Sequence, residues 1–154
     1  MQIAVIGENC SGKSTLADAL RTAMDQTEVY TGKDYLRLDR SEPKARDLFR
    51  EKLKAAAADE TQTVIYVISE PDQLELLPEN AVRILVQADL ETIRTRFRAR
   101  MHGQLPGPVA AMLEKKHGMF DNGSYDYVYD GVSGDPKALC AELASQRRNR
   151  KASV

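Results

Sequence analysis

Apolar residues in this chain keep two alternating rhythms. Short β-branched or aromatic runs read as strands: Ile3-Ala4-Val5-Ile6, Glu28-Val29-Tyr30-Thr31, Thr63-Val64-Ile65-Tyr66-Val67-Ile68, Val82-Arg83-Ile84-Leu85-Val86 and Tyr125-Asp126-Tyr127-Val128-Tyr129. Between them, apolar positions recur every three or four residues, as one buried face of a helix requires. Leu16, Leu20 and Met24 mark a first helix. Ser41-Glu42-Pro43 opens a second, with proline in its first turn, whose stripe is Ala45, Leu48, Phe49, Leu53 and Ala56. Leu90, Ile93, Phe97 and Met101 stripe a third, with Asp89 as its N-cap. A fourth is expected over about 109–120, after the turn-rich stretch His102-Gly103-Gln104-Leu105-Pro106-Gly107-Pro108. The last runs from Asp135-Pro136 to about Ala144, leaving Arg147-Arg148-Asn149-Arg150-Lys151 as a frayed basic tail.

The run Thr63–Ile68 is the most continuously apolar, which suits a central parallel strand beside the first. Strands alternating with helices give a doubly wound α/β fold whose ligand lies over the carboxyl ends of the strands.

Length and composition narrow the class. The 154 residues make one domain, and 42% hydrophobic with 29% charged residues fits a soluble globular protein. A net charge of −1 argues against nucleic acid as a partner, and no apolar run is long enough to span a membrane. The N-terminus enters a strand at once, with no visible targeting segment. Cys10 and Cys140 cannot build a disulfide framework and are expected as free thiols in a cytoplasmic protein.

The chemistry concentrates in Gly7-Glu8-Asn9-Cys10-Ser11-Gly12-Lys13-Ser14, a G-x-x-x-x-G-K-S string between the first strand and the first helix. That is the context of a phosphate-binding loop. The glycines permit backbone angles that turn successive N–H groups inward, and the helix aims its positive dipole end at the same point. Gly7, Asn9, Cys10, Ser11, Gly12, Lys13, Ser14 and Thr15 are expected around the nucleotide phosphates. Lys13 is placed to reach the β- and γ-phosphates, and the Ser14 hydroxyl to take one Mg²⁺ position.

Four arginines alternate along the third helix: Arg94 and Arg98 on one flank of its stripe, Arg96 and Arg100 on the other. With Lys115 and Lys116 they face only Glu91 and Glu114 as opposing charge, which fits a lid closing over phosphates. Asp34 is a candidate base or acceptor-orienting group, with Arg37 a turn away. Glu70, at the end of the central strand, is a candidate for Mg²⁺ through water or for an acceptor hydroxyl. The acids between Asp59 and Glu79 otherwise read as solvated surface, and His102 and His117 have no metal-ligand spacing.

At these residues the chain resembles a small P-loop kinase of the nucleoside monophosphate kinase, adenylate kinase-like type. Thr31-Gly32-Lys33-Asp34-Tyr35-Leu36-Arg37 resembles the T-G-D-x-L-R stretch of adenylate kinases with one extra residue. The arginine-rich helix, Pro-Gly turn and lysine-bearing helix look like their lid, and Tyr125-Asp126-Tyr127-Val128 with Asp130-Gly131 like their last strand and adenine-side loop. The resemblance implies a three-layer P-loop NTPase fold with a five-stranded parallel sheet ordered 2-3-1-4-5. It implies one domain, a lid at about 94–120, and a monomer. It further implies ATP and Mg²⁺, a nucleotide or nucleoside acceptor, catalytic roles for Lys13, Asp34, Arg96 and Arg100, and acceptor contacts from Asp34, Arg37 and Glu70.

The pattern departs after the third strand. Adenylate kinases carry Pro-Arg there, the arginine holding the acceptor phosphate; here the stretch is Ser69-Glu70-Pro71-Asp72. Lys33-Asp34-Tyr35-Leu36-Arg37 is also similar to the D-D-Y-R stretch of polynucleotide kinases, where the aspartate is base to a hydroxyl. The alternatives are therefore a kinase of a hydroxyl acceptor, polynucleotide- or shikimate-kinase-like, and a noncatalytic nucleotide-binding regulator. A GTPase N-K-x-D motif is absent, and the third strand lacks the terminal aspartate of motor ATPases.

Overall fold

The most apolar runs take the middle of the sheet. β1 (Gln2–Ile6) and β3 (Thr63–Ile68) are buried at every position, as strands covered on both faces must be. β2 (Thr27–Thr31), β4 (Val82–Gln87) and the short β5 (Tyr127–Asp130) complete a parallel sheet of order β2-β3-β1-β4-β5. The computed structural model describes residues 1–152, with side chains described through Asn149.

The two-residue period of β1 splits the core into layers. Ile3 and Val5 face α1 (Lys13–Ala23) and α5 (Pro136–Ala152), packing with Leu16, Leu20, Cys140 and Leu143. Ala4 and Ile6 face α2 (Glu42–Ala58). There Phe49 sits among Tyr30, Tyr35 and Tyr66 at centroid distances of 5.0, 5.4 and 4.8 Å, the last edge-on. Leu48 turns outward at 49% exposure, so the buried stripe is Ala45, Phe49, Leu53 and Ala56. Two 3-10 helices, Asp34–Leu38 and Pro71–Leu76, follow the ends of β2 and β3; the second takes a stretch read as plain surface. Cys10 and Cys140 are both free and buried. Among the described residues no helix is long and apolar enough to cross a membrane.

α3 (Leu90–Arg100) starts at Asp89, whose carboxylate accepts from the Thr92 N–H at 3.0 Å. α4 (Gly107–Lys116) stops short of Phe120, because Gly118 adopts φ 81° and the chain turns toward the sheet. Ile93 and Leu113 of these helices share a small apolar cluster with Ala88 and Cys10, so the lid segment expected at about 94–120 packs on the phosphate loop through a thiol.

The C-terminal helix departs most from expectation. It continues through Ala152 because Arg147, read as tail, is an anchor. Its guanidinium donates to the carbonyls of Glu60 (3.1 Å), Asp25 (2.8 Å) and Thr61 and to Thr63 Oγ1 (3.0 Å). Arg150 and Lys151, the end of the same basic run, lie outside the described side chains.

Candidate active site

The carboxyl ends of the five strands deliver Gly7, Gly32, Ser69, Ala88 and Gly131 to one edge of the sheet. The phosphate loop occupies its centre. A Cβ on Gly7 would stand 2.6 Å from both Ser11 Oγ and the Val86 carbonyl, so only glycine fits. Cys10 (φ 63°) and Gly12 (φ 107°) alternate with ordinary residues in the left-handed region, the backbone pattern that gathers N–H groups into an anion-binding nest. α1 begins immediately behind, at Lys13. Ser11 is buried with its Oγ unpartnered.

Lys13 lies 8% exposed, with Nζ donating to the Glu8 carbonyl at 2.7 Å. Burial brings its pKa down to about 8; Cys10 and Glu8 oppose that fall while the charge on Arg100 adds to it. A buried ammonium resting on a backbone carbonyl is a cation awaiting an anion. A bound polyphosphate would raise that pKa again, so binding above pH 8 must take up a proton. With that pKa the protonated fraction drops from about a half at pH 8 to about a tenth at pH 9, so ADP affinity is expected to fall about fivefold over that interval, and Lys13→Arg to abolish the slope. Calorimetric titrations at pH 7, 8 and 9 check this; an affinity flat across the range refutes it.

One cavity of about 650 Å³ gathers Asn9, Cys10, Gly12, Lys13, Ser14 and Thr15 with Arg96 and Arg100. Thr31 and Ser69, neither of them among the expected site residues, also line it. Arg96 bridges two loops: Nη1 donates to the Cys10 carbonyl (3.1 Å) and Nη2 to that of Gly131 (2.8 Å). Gly131 must be glycine, since a Cβ there would fall 1.8 Å from the Ser11 carbonyl oxygen. Arg94 instead turns to Glu114 at 3.4 Å, and Arg98 is exposed. A second hollow of about 570 Å³ is lined by Glu8, Asp89, Asp121 and Asp130, carboxylates that would repel a polyphosphate.

The remaining candidates are dispersed. Asp34 lies beside the cavity: its Oδ2 accepts from the N–H of Thr31 at 2.9 Å, while the residue stays exposed. Arg37 is drawn away, its guanidinium 4.5 Å above the Tyr30 ring, which Lys52 approaches to 5.6 Å. Glu70 is not on the cavity wall; its carboxylate pairs with Lys116 Nζ at 3.1 Å. Glu8, passed over in the sequence, accepts from the Gly118 N–H (3.1 Å) and meets His117 Nδ1 (3.0 Å). Lys116, His117 and Gly118 thus dock the end of α4 onto two acids. His117 has a docking task where none was expected. The only local hint of these contacts was an acid inside a phosphate loop.

No family model matches this chain, and no curated protein matches it. Solved structures do. An uncharacterized protein from Eubacterium ventriosum superposes with a TM-score of 0.65 over 97% of this chain and 98% of its own, at 16% identity. A shikimate kinase from Acinetobacter baumannii, in complex with shikimate, gives 0.61 over 97% and 94% at 13% identity. A gluconokinase from Sinorhizobium meliloti gives 0.59 over 97% and 96% at 17% identity. The chain has the fold of the small P-loop kinases. The P-loop kinase fold and sheet order expected from the sequence are both present; these neighbours share that fold and do not single out the nucleoside monophosphate kinase type.

Proposed function

We propose that this P-loop protein is an ATP-dependent kinase that transfers the γ-phosphate to a hydroxyl of a small polar acceptor. The observation that carries the reading is the single cavity in which the loop nest, Lys13, Arg96 and Arg100 converge at the strand ends. In-line transfer needs that concentration of positive charge around the moving group. α3 and α4 serve as the lid, within one domain.

A hydroxyl acceptor accounts for the rest better than the nucleotide acceptor expected from the adenylate kinase resemblance. A phosphate acceptor needs cations to offset charge repulsion. Here Arg37 stacks on Tyr30, Lys116 is paired with Glu70, and Asp72 stands where that family carries its phosphate-binding arginine. Structural neighbours named as shikimate kinase and gluconokinase act on alcohols, which favours the same choice.

The residues also fit a Mg²⁺–nucleotide. Ser14 offers its hydroxyl on the cavity wall, and no group of three His, Cys, Asp or Glu able to hold a metal alone occurs among the described residues. Mg²⁺ would share Ser14 with phosphate oxygens and water, as that ion prefers, and it would neutralise charge on the phosphates. Glu70 takes no part while Lys116 holds it. Asp34 receives the proton of the acceptor hydroxyl as its oxygen bonds to the γ-phosphorus. The bond from that phosphorus to the β,γ-bridging oxygen breaks, and ADP leaves. Lys13, Arg96 and Arg100 bind the phosphates and exclude water. We place this chemistry in the cytoplasm, in a monomer with both thiols reduced.

ADP formation measured with alcohols, sugar acids, nucleosides and nucleoside monophosphates in parallel tests the reading. Turnover dependent on a hydroxyl compound is expected. Turnover dependent only on a monophosphate would restore the nucleotide acceptor, and ATP binding without acceptor-dependent turnover would leave a nucleotide-binding regulator.

A further inference from the structure

Gln73 stands out at the acceptor end because half of its amide is used and half is free. The residue is 7% exposed, in the 3-10 helix after β3. Its Oε1 accepts from the N–H groups of Ser69 (3.1 Å) and Glu70 (3.3 Å). Two donors on one atom identify that atom as the oxygen, so the other end is the NH₂ group. That Nε2 lies 3.8 Å from the point a Cβ on Gly32 would occupy, beside the end of β2. Among the described residues it donates to no protein atom. Nor is it sealed from solvent, unlike the unpartnered Gln2 Oε1 and Ser11 Oγ. It therefore keeps access to solvent beside Gly32, at the end of β2.

Gly32 itself is immobilised. Its N–H donates to the Val67 carbonyl at 3.0 Å, and its carbonyl accepts from the Tyr66 hydroxyl at 2.7 Å. Asp34 stands two residues further on, fixed by the Thr31 N–H. A carboxylate that only accepts and an amide end that only donates thus flank one rigid residue. We propose that Gln73 determines acceptor specificity by donating from Nε2 to an oxygen adjacent to the hydroxyl that Asp34 deprotonates, which makes the substrate a vicinal diol or polyol. The proposal rests on the kinase reading above and goes beyond it in naming the class. A monohydric alcohol leaves this preorganised donor unmatched, and an unmade hydrogen bond to a desolvated group weakens binding by roughly tenfold or more.

Gln73→Glu is the informative variant. It keeps an oxygen for Ser69 and Glu70 and replaces only the donor. ADP formation would be followed with gluconate, shikimate, glycerol, 1-propanol and 2′-deoxyadenosine monophosphate, which has no vicinal diol, as acceptors. Expected is turnover with at least one polyol and not with propanol, and a KM for that polyol raised tenfold or more by Gln73→Glu. The KM for ATP should stay within twofold, and rescue should fail with Gln73→Met, which lacks the donor too. A polyol KM unmoved in a folded Gln73→Glu protein overturns the assignment while the kinase reading stands. Turnover with the monophosphate alone, or with propanol as readily as with glycerol, overturns the diol class. ADP formation with no acceptor of any kind removes the kinase reading and this inference together. Should Gln73→Glu fail to fold, the wild-type protein decides: the deoxy analogue of its acceptor, lacking the adjacent hydroxyl, must need at least tenfold higher concentration, and equal KM values refute the proposal.

Discussion

Asp34→Asn is expected to slow acceptor-dependent ADP formation by roughly 10²–10⁴-fold, the range a positioned general base contributes. A hydroxyl is a weak nucleophile near neutral pH, so removing the proton acceptor falls on kcat. The substitution is conservative in every other respect. Asparagine keeps an oxygen for the Thr31 N–H that holds Asp34 at 2.9 Å, so the 3-10 turn should persist. Arg37→Ala is the control three residues along. Its side chain is committed to the Tyr30 face at 4.5 Å, and its loss should cost about 0.5–1 kcal/mol of stability while turnover stays within a few-fold. A phosphate acceptor demands the reverse order, because it arrives ionised and needs cations rather than a base. Steady-state kinetics and urea unfolding of the two variants separate these outcomes. A harmless Asp34→Asn beside a crippled Arg37→Ala would return the protein to the nucleotide-acceptor class.

What the sequence made legible is what local chemistry determines. The phosphate loop is one contiguous string, and its nest needs only the backbone freedom of its own residues. β1 and β3 announced their central places because burial on both faces leaves no polar position. β5 begins two residues later than expected and ends one later, because the alternation of Tyr125-Asp126-Tyr127-Val128-Tyr129 does not mark where pairing starts. Pairing settles the matter: Asp126 Oδ2 accepts from the Arg83 N–H at 2.8 Å, and the ladder begins with Tyr127 opposite Ile84. The misread charged side chains share one cause, which is a partner distant along the chain. The acceptors of Arg147 lie near residues 25 and 60–63, the partner of His117 is Glu8, and that of Lys116 is Glu70. Residue spacing carries no trace of such pairs. Gln73 escaped notice for the same reason, since its amide acquires meaning only where the ends of two strands meet.

Arg96→Ala with Arg100→Ala is expected to lower turnover on the order of 10³-fold or more, and Arg94→Ala with Arg98→Ala to change it little. The sequence placed the two pairs on opposite flanks of α3 without saying which flank faced the phosphates. Arg96 and Arg100 line the phosphate cavity, and the charge of Arg100 is felt by Lys13. Arg94 spends its charge on Glu114 and Glu91, at 3.4 and 3.9 Å. Salt bridges of that exposed kind are worth less than about 1 kcal/mol, so the outer pair should be nearly silent in stability as well. Arg96 complicates the inner pair because it also staples Cys10 to Gly131, and its loss could loosen the loop without any effect on transition-state charge. Arg100→Ala alone resolves this, since no staple depends on it. A loss in kcat with ADP affinity retained assigns Arg100 to charge developing during transfer. A loss confined to Arg96 variants and accompanied by weaker ADP binding assigns the pair to loop architecture instead. If both double variants turned over at the wild-type rate, α3 would be a solvated helix and the lid assignment would fall.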